Sequence, residues 1–196
     1  MEVEGSVVLV SKNYSVSVCL VDLRTLEHEM FLNDIIIDFY LNYLQNEVLP
    51  PDDRAGVFIY STMFFVSLTA DKKNQEKLPA REKRHLKVAS WTKSVDIFSK
   101  NILIFPICTN SHWFLIVVIK PGLVTTPDET NNNGEPLLIV LDSLGGSKTS
   151  AVKLIREYLA EEWRTRMSPS CGGQTFQFSA KQMRTMRPKK VRISTL

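Results

Sequence analysis

Residues 102–120 read Ile-Leu-Ile-Phe-Pro-Ile-Cys-Thr-Asn-Ser-His-Trp-Phe-Leu-Ile-Val-Val-Ile-Lys. Two runs of β-branched and large apolar side chains, Ile102 to Ile107 and Trp113 to Ile119, flank a short polar break at Thr109-Asn110-Ser111. A third run, Leu137 to Leu141, follows a long segment (121–136) rich in Thr, Asn, Gly and Pro that reads as a surface loop. Runs of this kind are expected of central strands covered on both faces. His112 opens the second run and Asp142 closes the third. If those two strands are antiparallel neighbours, the start of one lies beside the end of the next, and imidazole meets carboxylate. Such a pair fixes one ring nitrogen and leaves the other free to take a proton from a nucleophile. The plain alternative is a polar residue capping a strand edge.

Working outward, Asn33 is a suitable N-cap and Asp34 suits the positive end of a helix dipole. Ile36, Phe39, Tyr40, Tyr43 and Leu44 then recur at helical spacing until Pro50-Pro51. Ser6–Val10 and Ser15–Val21 predict two short strands, Val57–Tyr60 another, and Thr62–Leu68 a buried helical turn or two. Residues 71–87 are dominated by charge and predict an exposed loop with room for a short helix. Ser147–Trp163 predicts an amphipathic closing helix through Val152, Ile155, Tyr158, Leu159 and Glu162. The body is therefore α+β: a leading helix, a sheet of about three to five strands, and a closing helix.

The chain has 196 residues, 44% hydrophobic and 23% charged, which fits a globular domain and excludes collagen-like or wholly disordered classes. Its net charge of +3 conceals an asymmetry, because all 21 acidic residues lie at or before Glu162. Eight basic residues follow Trp163, so residues 1–163 carry −5 and residues 164–196 carry +8. We expect 1–163 to be the folded domain and 164–196 a basic, disordered tail. The acidic body offers no nucleic-acid surface, although the tail could bind polyanions. Its run Arg187-Pro188-Lys189-Lys190-Val191-Arg192 reads as a nuclear-import signal or as a plain solvated tail. No apolar stretch approaches the roughly 18 residues of a membrane span, and Glu2 and Glu4 stand where a signal peptide would be basic. A soluble intracellular protein with no membrane partner is expected. Cys19, Cys108 and Cys171 form no disulfide framework, and His28, His85 and His112 are not at zinc-ligand spacing. No metal and no cofactor is expected. Cys108 ends an apolar strand and, like Cys19, is expected in the core. Gly145-Gly146-Ser147-Lys148-Thr149 is no phosphate loop, because Ser147 stands where a glycine should precede the lysine and the upstream glycine is absent.

Four blocks resemble, in order, the SENP/Ulp family of cysteine proteases that remove SUMO from its conjugates. They are Phe31–Leu41 (Phe-Leu-Asn-Asp-Ile-Ile-Ile-Asp-Phe-Tyr-Leu), Trp91–Phe98 (Trp-Thr-Lys-Ser-Val-Asp-Ile-Phe), Ser111–Val117 and Ile139–Leu144. With the closing-helix stretch Leu154–Leu159 and Glu162-Trp163, the resemblance spans about residues 17–163 and is nearest the branch that trims poly-SUMO chains. It implies a papain-like α+β fold, the ubiquitin-like protease fold, incomplete at the C-terminus. It also implies SUMO-conjugated proteins or poly-SUMO chains as partners and a nuclear or nucleocytoplasmic setting. Position by position, His112 matches the general base and Asp142 the carboxylate that orients it. Trp113 matches the aromatic roofing a tunnel for the Gly-Gly tail of SUMO, and Phe31 stands where many members place the tunnel's other wall. Asp34 matches a position facing a basic residue of SUMO. For Phe31 and Trp113 the alternative is core packing, and for Asp34 ordinary helix N-terminal charge.

The family takes its nucleophile from a Gln-x-x-x-x-x-Asp-Cys-Gly block after the orienting carboxylate, and no such block occurs here. Ser170-Cys171-Gly172 echoes it faintly, but Gln174 and Gln177 lie on the wrong side of the cysteine and no apolar helix follows. The nucleophile is left unassigned. Uncovered apolar surface would lower stability by about 25 cal/mol per Å², so a less stable domain is expected. Three functions follow: a SUMO-deconjugating cysteine peptidase, a SUMO-binding pseudoprotease without turnover, and a polyanion-binding adaptor working through the tail.

Overall fold

The computed structural model describes residues 7–10, 16–70, 78–125, 136–166 and 189–191; of these, 7–10, 124–125 and 189–191 are described by backbone alone. Strands β1 (Val7–Val10) and β2 (Ser17–Cys19) pair antiparallel as a separate ribbon. Helices α1 (Leu20–Arg24) and α2 (Asp34–Tyr43) follow. Asn33 caps α2 as expected, its side chain accepting from the Ile36 amide at 3.0 Å. Buried Asp22 ties the two helices together, accepting from the Cys19 amide and from Asn33 Nδ2, both at 2.8 Å. The α2 helix widens into a π-helical turn, Leu44–Val48, and stops before Pro50-Pro51, where the short α3 (Pro51–Arg54) begins. Proline there has no N–H to continue the ladder and its fixed φ suits a new first turn.

The main sheet has five strands in chain order: β3 (Val57–Ile59), β4 (Ile102–Thr109), β5 (His112–Ile119), β6 (Leu137–Leu141) and β7 (Lys189–Val191). The outer pairs β3–β4 and β6–β7 are parallel, whereas β4–β5–β6 are antiparallel. Pro106 sits inside β4 without cost because β3 ends at Ile59, opposite Ile104, so no ladder bond is lost on that side. Burial alternates along β5 and β6, with Phe114, Ile116, Val118, Leu138 and Val140 wholly buried and their neighbours half-buried. The sheet is therefore sealed on one face and only partly covered on the other, not equally on both as the unbroken apolar runs suggested.

Onto the sealed face pack α4 (Met63–Thr69), α5 (Ala80–Val88), the 3-10 turn Ile97–Ser99 and α6 (Thr149–Arg166). Each Phe or Leu so buried contributes roughly 1.5–3 kcal/mol. Tyr60 stacks on Phe105 at 4.2 Å between ring centres, and its hydroxyl meets that of Tyr158 at 3.1 Å. Burial raises both phenols, so both stay neutral.

Two expectations differ. Within the charged stretch 71–87, residues from Ala80 form a full helix with His85 and Val88 buried; its abundant charge conceals a two-residue inner face. Beyond Trp163, α6 continues to Arg166 and β7 joins the sheet, so these pieces of 164–196 belong to the fold. The remaining tail residues, Cys171 among them, lie outside the described residues, as does most of the predicted loop 121–136.

Candidate active site

The site is built where β5 begins and β6 ends. Asn110 and Ser111 form a two-residue hairpin turn with φ of 52° and 58°, the left-handed conformation that such turns require. Thr109 consequently pairs with His112, which becomes the first residue of β5. Pairing of Leu115 with Leu141 sets Asp142 one residue past the β5–β6 ladder. The two-residue repeat then sends His112, Phe114 and Asp142 to the same, sealed face.

There His112 Nε2 lies 2.5 Å from Asp142 Oδ1. The imidazole is 20% exposed and the carboxylate 4%, so the carboxylate is shut away from solvent while part of the ring reaches it. With Nε2–H donating to the carboxylate, the lone pair on Nδ1 is left to accept a proton. The Leu144 amide also donates to Asp142 Oδ1 at 3.2 Å. This closes the Asp142-Ser143-Leu144 turn as an aspartate side chain commonly does. Lys148 Nζ lies 3.1 Å from the other oxygen, Oδ2. Burial alone would raise the Asp142 carboxyl, but the His112 contact, the Lys148 ammonium and the Leu144 amide outweigh it and hold the group at about 2. At neutral pH it is an anion.

Trp113 points to the opposite face, and its indole Nε1 donates to the Leu32 carbonyl at 2.8 Å. That bond links the hairpin to the segment Phe31–Asn33 leading into α2. Phe31 is 74% exposed, so it is not a core residue. Asp34 is the half-buried first residue of α2. The structure thus brings His112 to Asp142 and Trp113 to the Phe31–Asp34 segment.

Cys108 is a correction. It is exposed, and its partial burial pushes the thiol up rather than activating it. The phase of β4 explains this: Ile107 points inward and Cys108, paired with Trp113, points to the face away from His112. Cys19, also expected in the core, is half-buried at the start of α1.

Sequence reasoning missed a second polar centre. Fully buried Glu162 of α6 takes Thr92 Oγ1 at 2.5 Å, His85 Nε2 at 2.5 Å and Arg166 Nε at 2.7 Å. Its helical phase marks it as inward-facing, but nothing local in the sequence names the polar partners that meet it there. Arg166 also donates to the carbonyl of Ala89, at 2.9 Å, and to that of Thr92. This knits α5, the 89–95 turn and α6 into one unit behind the sheet.

Residues 30–191 match the sequence profile of the Ulp1 protease family, C-terminal catalytic domain. The chain belongs to the Ulp1 protease family. The match runs through α6 and on into β7. Among curated relatives, the probable ubiquitin-like-specific protease 2B of Arabidopsis thaliana is 35% identical over 155 residues, covering 78% of this chain and 16% of that protein. Sentrin-specific protease 6 of Mus musculus is 42% identical over 119 residues, covering 59% of this chain and 10% of that protein. The chain thus spans under a fifth of the length of either relative. Among solved structures, a de-sumoylating protease superposes with a TM-score of 0.68 at 17% identity, over 92% of this chain and 61% of that one. The SUMO protease Ulp1 with its catalytic cysteine oxidised to a sulfinic acid gives 0.57 at 18% identity, over 95% of this chain and 68% of that one. At such identities the superpositions establish the α+β Ulp1-type fold. Among the described residues no helix is long and apolar enough to cross a membrane.

Proposed function

We propose that this chain is a SUMO-directed member of the Ulp1 protease family that hydrolyses the isopeptide bond after the Gly-Gly of SUMO, with His112 as general base and Asp142 as its orienting carboxylate. The observation that carries the reading is the 2.5 Å contact between His112 Nε2 and Asp142 Oδ1, which makes Nδ1 the nitrogen that would accept a proton. In the proposed reaction a cysteine thiol gives its proton to Nδ1 and its sulfur bonds to the glycine carbonyl carbon. The C–N bond to the conjugate's amine then breaks, and the amine takes the proton back from the imidazolium. Water, deprotonated by His112, cleaves the thioester and regenerates the thiol.

Trp113 and Phe31 are proposed as the walls that admit only the Gly-Gly tail, since any Cβ would clash in so narrow a passage. Asp34, at the α2 N-terminus, is proposed to face a basic residue of SUMO. Support comes from the Trp113–Leu32 bond and the exposure of Phe31, which together hold aromatic surface open to a ligand. Poly-SUMO chains as substrate and a nuclear setting belong to the same proposal, the latter through the run Arg187–Arg192.

A second reading, SUMO binding without turnover, is favoured by one observation. Cys108, four residues before His112, faces away from it and so does not serve the dyad. The two readings separate by intact mass after incubation with SUMO bearing a thiol-reactive electrophile at its C-terminal glycine. A stoichiometric adduct that disappears in His112→Ala establishes the peptidase and identifies its cysteine by peptide mapping. Binding in a pull-down without an adduct establishes the pseudoprotease. Loss of both refutes the SUMO-directed reading altogether.

A further inference from the structure

Lys148 precedes α6 and its side chain runs back over the Gly145-Gly146 turn toward β5. Gly145 takes a φ of 68°, open to glycine at no steric cost, and this turns the chain so that the lysine faces the sheet. The lysine side chain is only 15% exposed. Its ammonium is held between two groups of the site: the Asp142 carboxylate, at 3.1 Å from Oδ2, and the Phe114 ring, at 4.9 Å from its centre. Asp142 Oδ2 has no aligned hydrogen bond, so the lysine's hold on this buried oxygen is that of a close ion pair. Oδ1 is meanwhile shared by His112 and the Leu144 amide.

We propose that Lys148 is a positioning residue of the dyad, fixing the Asp142 carboxylate so that Oδ1 faces His112 and offsetting part of the negative field that the carboxylate exerts on the imidazole. This rests on reading His112 and Asp142 as base and orienter. A bare buried carboxylate would favour the imidazolium strongly, because an opposite charge within hydrogen-bonding distance stabilises the charged form. A cation on the carboxylate's far oxygen offsets part of that field. The groups acting on Asp142 are His112, Lys148 and the Leu144 amide, and Lys148 is the one that carries a fixed positive charge. Lysine also suits the place in length, since its four-carbon stem carries the ammonium to both the Phe114 ring and the carboxylate.

The test is a pH titration of His112 by two-dimensional nitrogen NMR on the full chain, with the His112 resonance identified by its loss in His112→Gln. In its neutral form the ring of the unsubstituted protein should carry its proton on Nε2, the nitrogen that faces Asp142, and not on Nδ1. Lys148→Met, which keeps the stem and removes the charge, should move the His112 midpoint up by about half a pH unit or more. Lys148→Arg should restore it. Lys148→Gln repeats the loss of charge with a polar head, should the methionine disturb packing on Phe114. If Met and Gln both leave the midpoint in place while Asp142→Asn lowers it, the dyad stands and the role of Lys148 is refuted. If Asp142→Asn leaves it unmoved as well, His112 and Asp142 are uncoupled and both readings fall.

Discussion

Trp113 Nε1 and the Leu32 carbonyl are 2.8 Å apart although 81 residues separate them in the chain. The bond joins the turn that delivers His112 to the segment that carries Phe31 and Asp34, so the proposed base and the proposed docking surface cannot shift independently. Trp113→Phe keeps an aromatic face but forfeits this bond, worth about 0.5–1.5 kcal/mol, and SUMO binding should weaken several-fold. Trp113→Ala removes the wall as well, and the loss should exceed about tenfold, as for a buried aromatic anchor. Calorimetric titration with SUMO ranks the variants. Equal losses in both would mean that the bond, and not the ring, matters.

Glu162 is the structural counterpart of that link on the other side of the sheet. Its carboxylate is 0% exposed and is shared by Thr92, His85 and Arg166. Glu162→Ala takes the shared acceptor from the buried Thr92 and His85 side chains and from the partly exposed Arg166, which keeps its carbonyl partners, a change that should cost about 2–5 kcal/mol. Thr92→Val removes a single partner and should cost about 1–3 kcal/mol. Urea unfolding followed by tryptophan fluorescence should show both as lowered midpoints with an unchanged slope. A Glu162→Ala protein with the midpoint of the unsubstituted chain would mean that the network contributes nothing to stability.

Much of this was legible before any coordinates. β4, β5 and β6 follow from three β-branched runs, α2 from the Asn33 cap, and the meeting of His112 and Asp142 from antiparallel strands joined in order. What was not legible depends on partners distant in sequence or on phase. Glu162 reads as part of an amphipathic face until Thr92, His85 and Arg166 converge on it. Lys148 reads as a failed phosphate loop because nothing local shows its side chain turning back to Asp142. Cys108 follows Ile107 in an apolar strand, and only the register opposite Trp113 turns it outward. β7 is three residues of a basic run, Lys189-Lys190-Val191, with no period to betray a strand whose reason for forming is the open edge of β6.

Asp142 should leave a mark on acid stability. Its carboxyl is held at about 2 when folded, against an ordinary value of 3.8. A depressed carboxyl stabilises the fold in full above the unfolded value and loses that contribution as pH falls through the folded one. The window therefore runs from about pH 4 down to about pH 2. The contribution should be about 1–2 kcal/mol after allowance for solvent screening. Subtracting the urea-derived stability of Asp142→Asn from that of the unsubstituted protein at each pH isolates it. A difference flat across the window would show that the Asp142 carboxyl is not depressed.

The pairing of Lys189–Val191 with Ile139–Leu141 occupies the strand edge that ends at Asp142. An uncovered edge exposes unpaired N–H and C=O groups and invites association with other chains. A chain ending at Arg166 should therefore exchange the outward-facing amides of Ile139–Leu141 at least about tenfold faster in deuterium exchange, while Ile116 and Val118 in β5 remain protected. It should also show concentration-dependent self-association in sedimentation. β7 lies within the basic run Arg187–Arg192, so the proposed import-signal role would need, extended and free, the same residues that the sheet pairs. Substituting Val191→Pro removes an N–H from the three-residue strand and should release the pairing. If exchange at Ile139–Leu141 is the same in the Val191→Pro chain, the shortened chain and the full one, β7 does not cover the β6 edge in solution.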